Sequence, residues 1–290
     1  MRVGVVDIGT NSIRLLITDG DNDLQRLEEV TGLGSGVDST GVLSEPRIVE
    51  TLVVLNRYGR MLEEAGVSIR KAIATSASRD AANREAFFDR VEEMIDVRPT
   101  LISGEEEARL AYAGAVQGFE GPRPVVVSDI GGGSTEFVTE KSGVSIDIGS
   151  VRITERALPF RPAERDEVAS ARALIGESFA GLPAFAVGSL IGVAGTWTSL
   201  ASVARAIPRG TTVHGHQVTR AEVGTIVDIM AQLTIEETAT LPGLDPKRAP
   251  VILGGILVAE GVMDALGADS AWVSEHDNLD GVAMTLLALP

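Results

Sequence analysis

Apolar residues recur along this chain with two periods, near two in short runs and near 3.6 in longer ones. Residues 3–7, 13–18 and 24–30 are short apolar runs separated by Gly, Asn and Asp turns, which predicts three successive strands. Leu52, Leu55, Tyr58 and Leu62 fall on one helical face and predict a helix over 45–65. A strand over 69–75, a helix over 78–95 with a polar start, a strand over 97–102 and a helix over 103–117 follow. The dense Gly and Pro of Gly118-Phe119-Glu120-Gly121-Pro122-Arg123-Pro124 then interrupts the pattern and marks the best candidate boundary.

The pattern begins again after it. Strands are predicted over 124–129, 135–139, 143–148 and 190–194, with helices between and after. The apolar segment 250–266 is interrupted by Glu260 and Asp264 and is short for a membrane span, so it reads as a buried helix. Alternating strands and helices predict an α/β fold in each half. A length of 290 residues suits two domains at roughly 100–200 residues each.

The halves share more than their order. Val-Gly-Val-Val-Asp-Ile-Gly-Thr-Asn-Ser begins at Val3, and Val-Val-Val-Ser-Asp-Ile-Gly-Gly-Gly-Ser begins at Val125. Each time an apolar strand ends in Asp, a glycine turn follows, and a second strand leaves it. Glycine lets the backbone approach a ligand closely, and consecutive N–H groups in such a turn form an anion nest. Thr10, Asn11, Ser12, Ser134 and Thr135 add side-chain donors. A plain hairpin explains one such turn, but two in the same context point to duplicated phosphate turns. Neither is a P-loop, because Gly-Lys-Ser/Thr is absent, and neither is a dinucleotide fingerprint, because a strand follows the turn.

Composition narrows the chemistry. There is no cysteine, which removes disulfides, thiolate catalysis and thiolate metal sites. His214, His216 and His276 are too few and scattered for a histidine metal site, although His214 and His216 form a close pair in a polar segment. A bound metal therefore takes oxygen donors, which favours a hard divalent cation such as Mg²⁺. The net charge of −16 argues against nucleic acid as a partner. It also repels any phosphate-rich substrate, so local cations and N–H groups must compensate. Screening over roughly 8 Å lets local charge outweigh net charge. The N-terminus runs straight into a strand without the pattern of a signal peptide. A cytoplasmic protein with no membrane partner is expected.

Six motifs now carry a resemblance. They are Asp7-Ile8-Gly9-Thr10-Asn11-Ser12-Ile13-Arg14; Ala74-Thr75-Ser76-Ala77-Ser78-Arg79 with Asn83; Gly104-Glu105-Glu106-Glu107-Ala108-Arg109-Leu110; Asp129-Ile130-Gly131-Gly132-Gly133-Ser134-Thr135-Glu136; Gly192-Val193-Ala194-Gly195-Thr196; and Leu241-Pro242-Gly243-Leu244. In this order they resemble the exopolyphosphatase / guanosine pentaphosphate phosphohydrolase family, a branch of the actin, sugar kinase and heat-shock chaperone superfamily. The resemblance spans nearly the whole chain. It implies two ribonuclease-H-like, actin-type domains with an interdomain cleft. Their expected bounds are 1–121 plus about 280–290, where a final helix over 279–289 packs back, and 122–279.

The resemblance also implies roles. Ser103-x-x-Glu106 is a capping box, and the helix dipole alone accounts for three glutamates there. The family's catalytic glutamate precedes Ala-Arg-Leu and maps onto Glu107, a general base for an attacking water. Asp129 and Glu136 become oxygen ligands of Mg²⁺ or another divalent cation, with Asp7 assisting. Gly9, Thr10, Asn11, Ser12, Gly131, Gly132, Gly133 and Ser134 become the phosphate cradle. Arg79 and Arg14 suit phosphate oxygens through their planar forks. Yet only Lys71, Lys141 and Lys247 among 25 basic residues are lysines, so a single arginine carries little information. Gly195 and Thr196 open a helix that either holds a phosphate or simply uses Thr196 or Thr198 as a cap. Ser274-Glu275-His276-Asp277 is contiguous and is no triad.

The implied activity is hydrolysis of the terminal phosphoanhydride of inorganic polyphosphate, releasing orthophosphate. Guanosine pentaphosphate is the alternative substrate, and a non-catalytic guanosine pentaphosphate sensor is the alternative role. Longer family members carry further C-terminal helical domains used for dimer contacts and for tracking a polymer. Their lack here suggests a preference for short chains and leaves a homodimer open.

Overall fold

A computed structural model describes residues 1–289. The chain divides into two units. Unit 1 holds Met1–Gly114 together with the chain from Asn278 on, and unit 2 holds Ala115–Asp277. The Gly/Pro segment 118–124 thus lies inside unit 2.

Unit 1 begins with the meander β1 (Val3–Ile8), β2 (Ser12–Thr18) and β3 (Asp23–Val30). The short α1 (Val37–Thr40), the long α2 (Glu45–Glu64), β4 (Ile69–Ala74), α3 (Ser76–Asp80), α4 (Arg84–Ile95), β5 (Thr100–Leu101) and α5 (Gly104–Ala115) follow. Its sheet runs β3-β2-β1-β4-β5, antiparallel across the meander and parallel from β1 to β5. Every residue of β1 is buried, as a central strand covered on both faces requires.

Alternation along β1 sorts the core into two layers. Val6 and Ile8 face a cluster with Leu55, Tyr58 and Leu62 of α2 and Phe87 and Val91 of α4. Val3 and Val5 face Leu110 of α5 and Leu279 and Val282 of the last helix. Asp7 belongs to this second face by register.

Unit 2 repeats the plan with β6 (Val125–Ile130), β7 (Thr135–Val138), β8 (Gly143–Ile146), α6 (Ser150–Ala157), α7 (Arg165–Phe179), β9 (Ser189–Val193) and α8 (Ala194–Arg205). It continues through β10 (Gln217–Thr219), α9 (Arg220–Ala231), α10 (Ile235–Thr238), α11 (Ile252–Leu266) and β11 (Ser270–Val273). The sheet order β8-β7-β6-β9-β11-β10 places third, second, first and fourth strands as in unit 1 and adds β10 at the edge. This is the ribonuclease-H-like, actin-type arrangement, present twice. The chain's last helix, α12 (Asn278–Leu287), belongs to unit 1.

Two local expectations change, and two short strands are added. The helix over 78–95 is two helices, because the Asn83 side chain bonds both the N–H and the C=O of Leu43, each at 2.9 Å. An asparagine that offers the backbone such alternatives suits a helix boundary better than an interior. The strand over 97–102 shrinks to Thr100–Leu101 after Pro99, which has no N–H to donate. The strands Gln217–Thr219 and Ser270–Val273 were too short to show a period.

Gly281 fixes how α12 seats. A Cβ there would run into the Leu110 backbone carbonyl of α5, so the two helices touch at main-chain distance. Gly254 and Gly255 of α11 leave room for the side chains of Ile153 and Thr154 and the Ser150 carbonyl of α6, and for the Thr196 side chain of α8.

Candidate active site

The glycine turns fold alike in both units. Gly9 N–H donates to the Ser12 carbonyl at 3.1 Å, and Gly131 N–H donates to the Ser134 carbonyl at 3.0 Å. These bonds close the turns and use up two N–H groups expected to face phosphate. The turn carbonyls are capped as well. In unit 1, Gly34 N–H donates to Thr10 O, and Thr31 and Gly32 N–H donate to Asn11 O. In unit 2, Ser150 N–H donates to Gly131 O, while Val151 and Arg152 N–H donate to Gly132 O. With carbonyls held from one side, the N–H groups of Thr10 and Asn11, and of Gly132 and Gly133, have no backbone acceptor among the described residues. Donors arranged this way form an anion nest.

Side chains add to unit 1's turn. The Thr10 hydroxyl accepts the Ala77 N–H at 3.2 Å and ties the turn to α3. Asn11 Nδ2 is buried without a hydrogen-bond partner. A buried orphan donor is costly and points to an absent acceptor. Ser12 opens β2 and is half-buried, whereas Ser134 is buried.

Behind each turn lies a cross-strand pair. Asp7 sits opposite Arg14 in the β1–β2 ladder, and Asp129 sits opposite Glu136 in the β6–β7 ladder. Directly opposed residues share a face with Cβ atoms ~4.5–5.5 Å apart. All three carboxylates are buried. Arg14 Nε donates to Asp7 Oδ2 at 3.0 Å, and Arg14 Nη2 reaches the same oxygen. Asn278, at the start of α12, accepts from Arg14 Nη2 at 2.9 Å and donates to Asp7 Oδ2 at 3.4 Å. Asp7 Oδ1 is buried without a hydrogen-bond partner. Asp7, expected beside a metal, and Arg14, expected on phosphate, are therefore ion-paired to each other.

In unit 2, Glu136 Oε1 accepts from Ser145 Oγ at 2.7 Å, and Ser145 faces Glu136 across β7–β8. Two buried carboxylates side by side favour a hard cation between them. Mg²⁺ typically takes one or two protein carboxylates and fills its remaining positions with water and phosphate oxygens. The pair fits that demand. Among the described residues, no group of three or more His, Asp or Glu side chains comes together as a metal site.

The three glutamates of α5 separate by burial. Glu105 and Glu106 are exposed, Glu107 is buried, and the Ser103 hydroxyl caps the Glu106 N–H at 3.1 Å. Glu107 Oε2 accepts from Arg79 Nη1 at 2.9 Å, and the same nitrogen bonds the Ile102 carbonyl at 3.0 Å. Burial pushes the Glu107 carboxyl above its ordinary range, the guanidinium of Arg79 pulls it back, and the charge of Asp7 pushes it up again. Arg79 is thus placed beside the predicted base and is not a loose surface arginine.

Gly195 and Thr196 lie in the first turn of α8, following β9. Thr196 is buried, and a Cβ on Gly195 would strike the guanidinium of Arg248. Arg248 is itself buried and closes over this turn. The sequence reading missed Arg248, Asn278 and Ser145. Only long-range packing or the register across β8 selects them. The His214 and His276 rings pack at a tilt of 39° with centroids 4.8 Å apart, and His214 Nδ1 accepts the Glu275 N–H at 3.3 Å.

Comparison with known proteins shows the family. The Ppx/GppA phosphatase family model matches residues 16–288. Exopolyphosphatase 2 of Mycobacterium tuberculosis is 36% identical over 314 residues, covering 98% of each chain. The crystal structure of an exopolyphosphatase-like protein superposes with a TM-score of 0.92 at 32% identity, over 99% of this chain and 98% of that one. An exopolyphosphatase from Cytophaga hutchinsonii gives a TM-score of 0.88 at 25% identity, over 99% and 98%. The chain belongs to the Ppx/GppA phosphatase family.

Proposed function

We propose that this protein is an exopolyphosphatase, a phosphoanhydride hydrolase that removes the terminal phosphate of inorganic polyphosphate. The observation that carries the reading lies within unit 1, where a buried carboxylate base, Glu107, accompanies a glycine turn whose Thr10 and Asn11 N–H groups have no backbone acceptor among the described residues. The 36% identity to an exopolyphosphatase along nearly the full chain supports the substrate class.

Phosphoryl transfer asks mainly for positioning and charge stabilisation. Within unit 1 the Thr10 and Asn11 N–H groups and the Asn11 amide offer donors to phosphate oxygens, and within unit 2 the Gly132 and Gly133 N–H groups do so separately. Arg79 steadies the terminal phosphate and Glu107 together. Glu107 takes a proton from water as the water oxygen bonds to the terminal phosphorus, the bond to the bridging oxygen breaks, and the shortened chain leaves as an anion. Burial suits Glu107 to this role, because a carboxylate with a raised pKa is a stronger base. Asp129 and Glu136 would hold a divalent cation, which when bound supplies neutralisation of phosphate charge. Gly195, Thr196 and Arg248 form a further turn suited to a second phosphate.

The test is phosphate release from inorganic polyphosphate and from guanosine pentaphosphate, measured side by side with Mg²⁺. Faster release from polyphosphate supports the proposal. Faster release from guanosine pentaphosphate replaces the substrate, and release from neither overturns the hydrolase reading.

A further inference from the structure

Asp7 uses its two carboxylate oxygens unequally. Oδ2 accepts from Arg14 Nε at 3.0 Å, from Arg14 Nη2 and from Asn278 Nδ2 at 3.4 Å. Oδ1 is buried with no donor among the described residues, on a side chain that is 1% exposed. A buried carboxylate oxygen left this way is costly and calls for a donor from a bound molecule. The fold sets that oxygen near Glu107. β5 runs parallel to β1 through β4, so α5, which follows β5, starts at the sheet's carboxyl edge, where Asp7 lies. Leu110 of α5 packs in one cluster with Val5. Asp7 lies two residues beyond Val5, ~6.6 Å along the strand, and Glu107 three residues before Leu110, ~4.5 Å along the helix. Both therefore leave the cluster toward the same edge, and Glu107 feels the charge of Asp7.

We infer that Asp7 is the second acceptor for the attacking water, its Oδ1 holding the O–H bond that Glu107 does not break. The inference rests on the exopolyphosphatase reading, with Glu107 as base. Water has two O–H bonds, and holding both fixes where its lone pair points. Glu107 takes one proton as the water oxygen bonds to the terminal phosphorus and the bridging oxygen leaves with its electron pair. The other O–H stays whole and becomes a hydroxyl of the released phosphate. Arg14 and Asn278 serve as a strut in this arrangement. They grip the carboxylate by Oδ2 alone, and Asn278 also accepts from Arg14 Nη2 at 2.9 Å, so the direction of Oδ1 is fixed.

The test compares the full chain as wild type and as Asp7→Asn in phosphate release from polyphosphate. Mg²⁺ is set to saturate the wild type, and the pH lies above the acid limb, where Glu107 is ionised in both. In the variant Arg14 holds the amide oxygen, so an NH₂ donor replaces the Oδ1 acceptor. The kcat should fall roughly 10²-fold, the cost of a misplaced reacting group, with KM unchanged, and further Mg²⁺ should restore nothing. An unchanged kcat, or a loss confined to KM, overturns the inference. Recovery on added Mg²⁺ overturns it in favour of a cation ligand. If Asp7→Asn fails to fold, by circular dichroism, Asp7→Asn combined with Arg14→Gln leaves no buried charge of the pair uncompensated and is read in the same way. A wild type that releases no phosphate, or an undiminished Glu107→Gln, overturns the underlying reading and the inference with it. An undiminished Asp7→Asn beside an active wild type and an impaired Glu107→Gln overturns the inference alone.

Discussion

Arg79 Nη1 lies 2.9 Å from Glu107 Oε2 and donates at the same time to the Ile102 carbonyl. The arginine that follows the Thr75-Ser76-Ala77-Ser78 stretch thus steadies the glutamate that a neighbouring helix buries. Arg79 is the main influence holding the Glu107 carboxyl down against burial. Replacing Arg79 with Gln should shift the acid limb of the kcat/KM profile to higher pH, besides weakening phosphate binding. An unshifted limb would separate Arg79 from the base.

Wild type should itself show an acid limb above the 4.5 of an ordinary glutamate. The same shift has a consequence for stability. A carboxyl whose pKa is raised on folding favours the native state most below its ordinary value of 4.5, and that contribution is lost as pH rises through the folded value. The stability of wild type relative to Glu107→Gln should therefore fall as pH rises across that window. Chemical denaturation at several pH values reads it, and a pH-independent difference would contradict the buried carboxyl.

Gly281 is held against the Leu110 carbonyl, and Leu110 lies on the same helix as Glu107. Gly281→Val should destabilise the protein by roughly 1–3 kcal/mol through overpacking. A lowered denaturation midpoint with an unchanged slope is the expected signature.

Ser128 occupies the position that Val6 takes in unit 1, and its hydroxyl is fully buried without a partner. Ser128→Ala should stabilise the protein by about 1 kcal/mol, since it removes an unsatisfied polar group. A loss of stability of that size would mean that the hydroxyl has a partner.

Much of this was legible in the sequence because it is local. The Asp-Ile-Gly-x-x-Ser repeat announces two equivalent strand–turn–strand units, and β1, β2, β6 and β7 appear within a residue or two of where their apolar runs place them. The α5 cap is equally local, although three adjacent glutamates could be separated only by family resemblance before burial singled out Glu107. What escaped was non-local. Asn278 meets Asp7 across almost the whole chain, and Arg248 reaches Gly195 from the far end of a helix-rich stretch. The Asp7–Arg14 ion pair was hidden differently. Spacing allowed both residues a functional role, and only the strand register sets them face to face.

Phosphate release from inorganic polyphosphate by wild type and Glu107→Gln tests the central claim most directly. With Mg²⁺ present, the wild type should release orthophosphate, and the variant should be slower by roughly 10²–10⁴-fold, the usual worth of a general base, while remaining folded. A folded Glu107→Gln protein that releases phosphate at the wild-type rate would contradict the account.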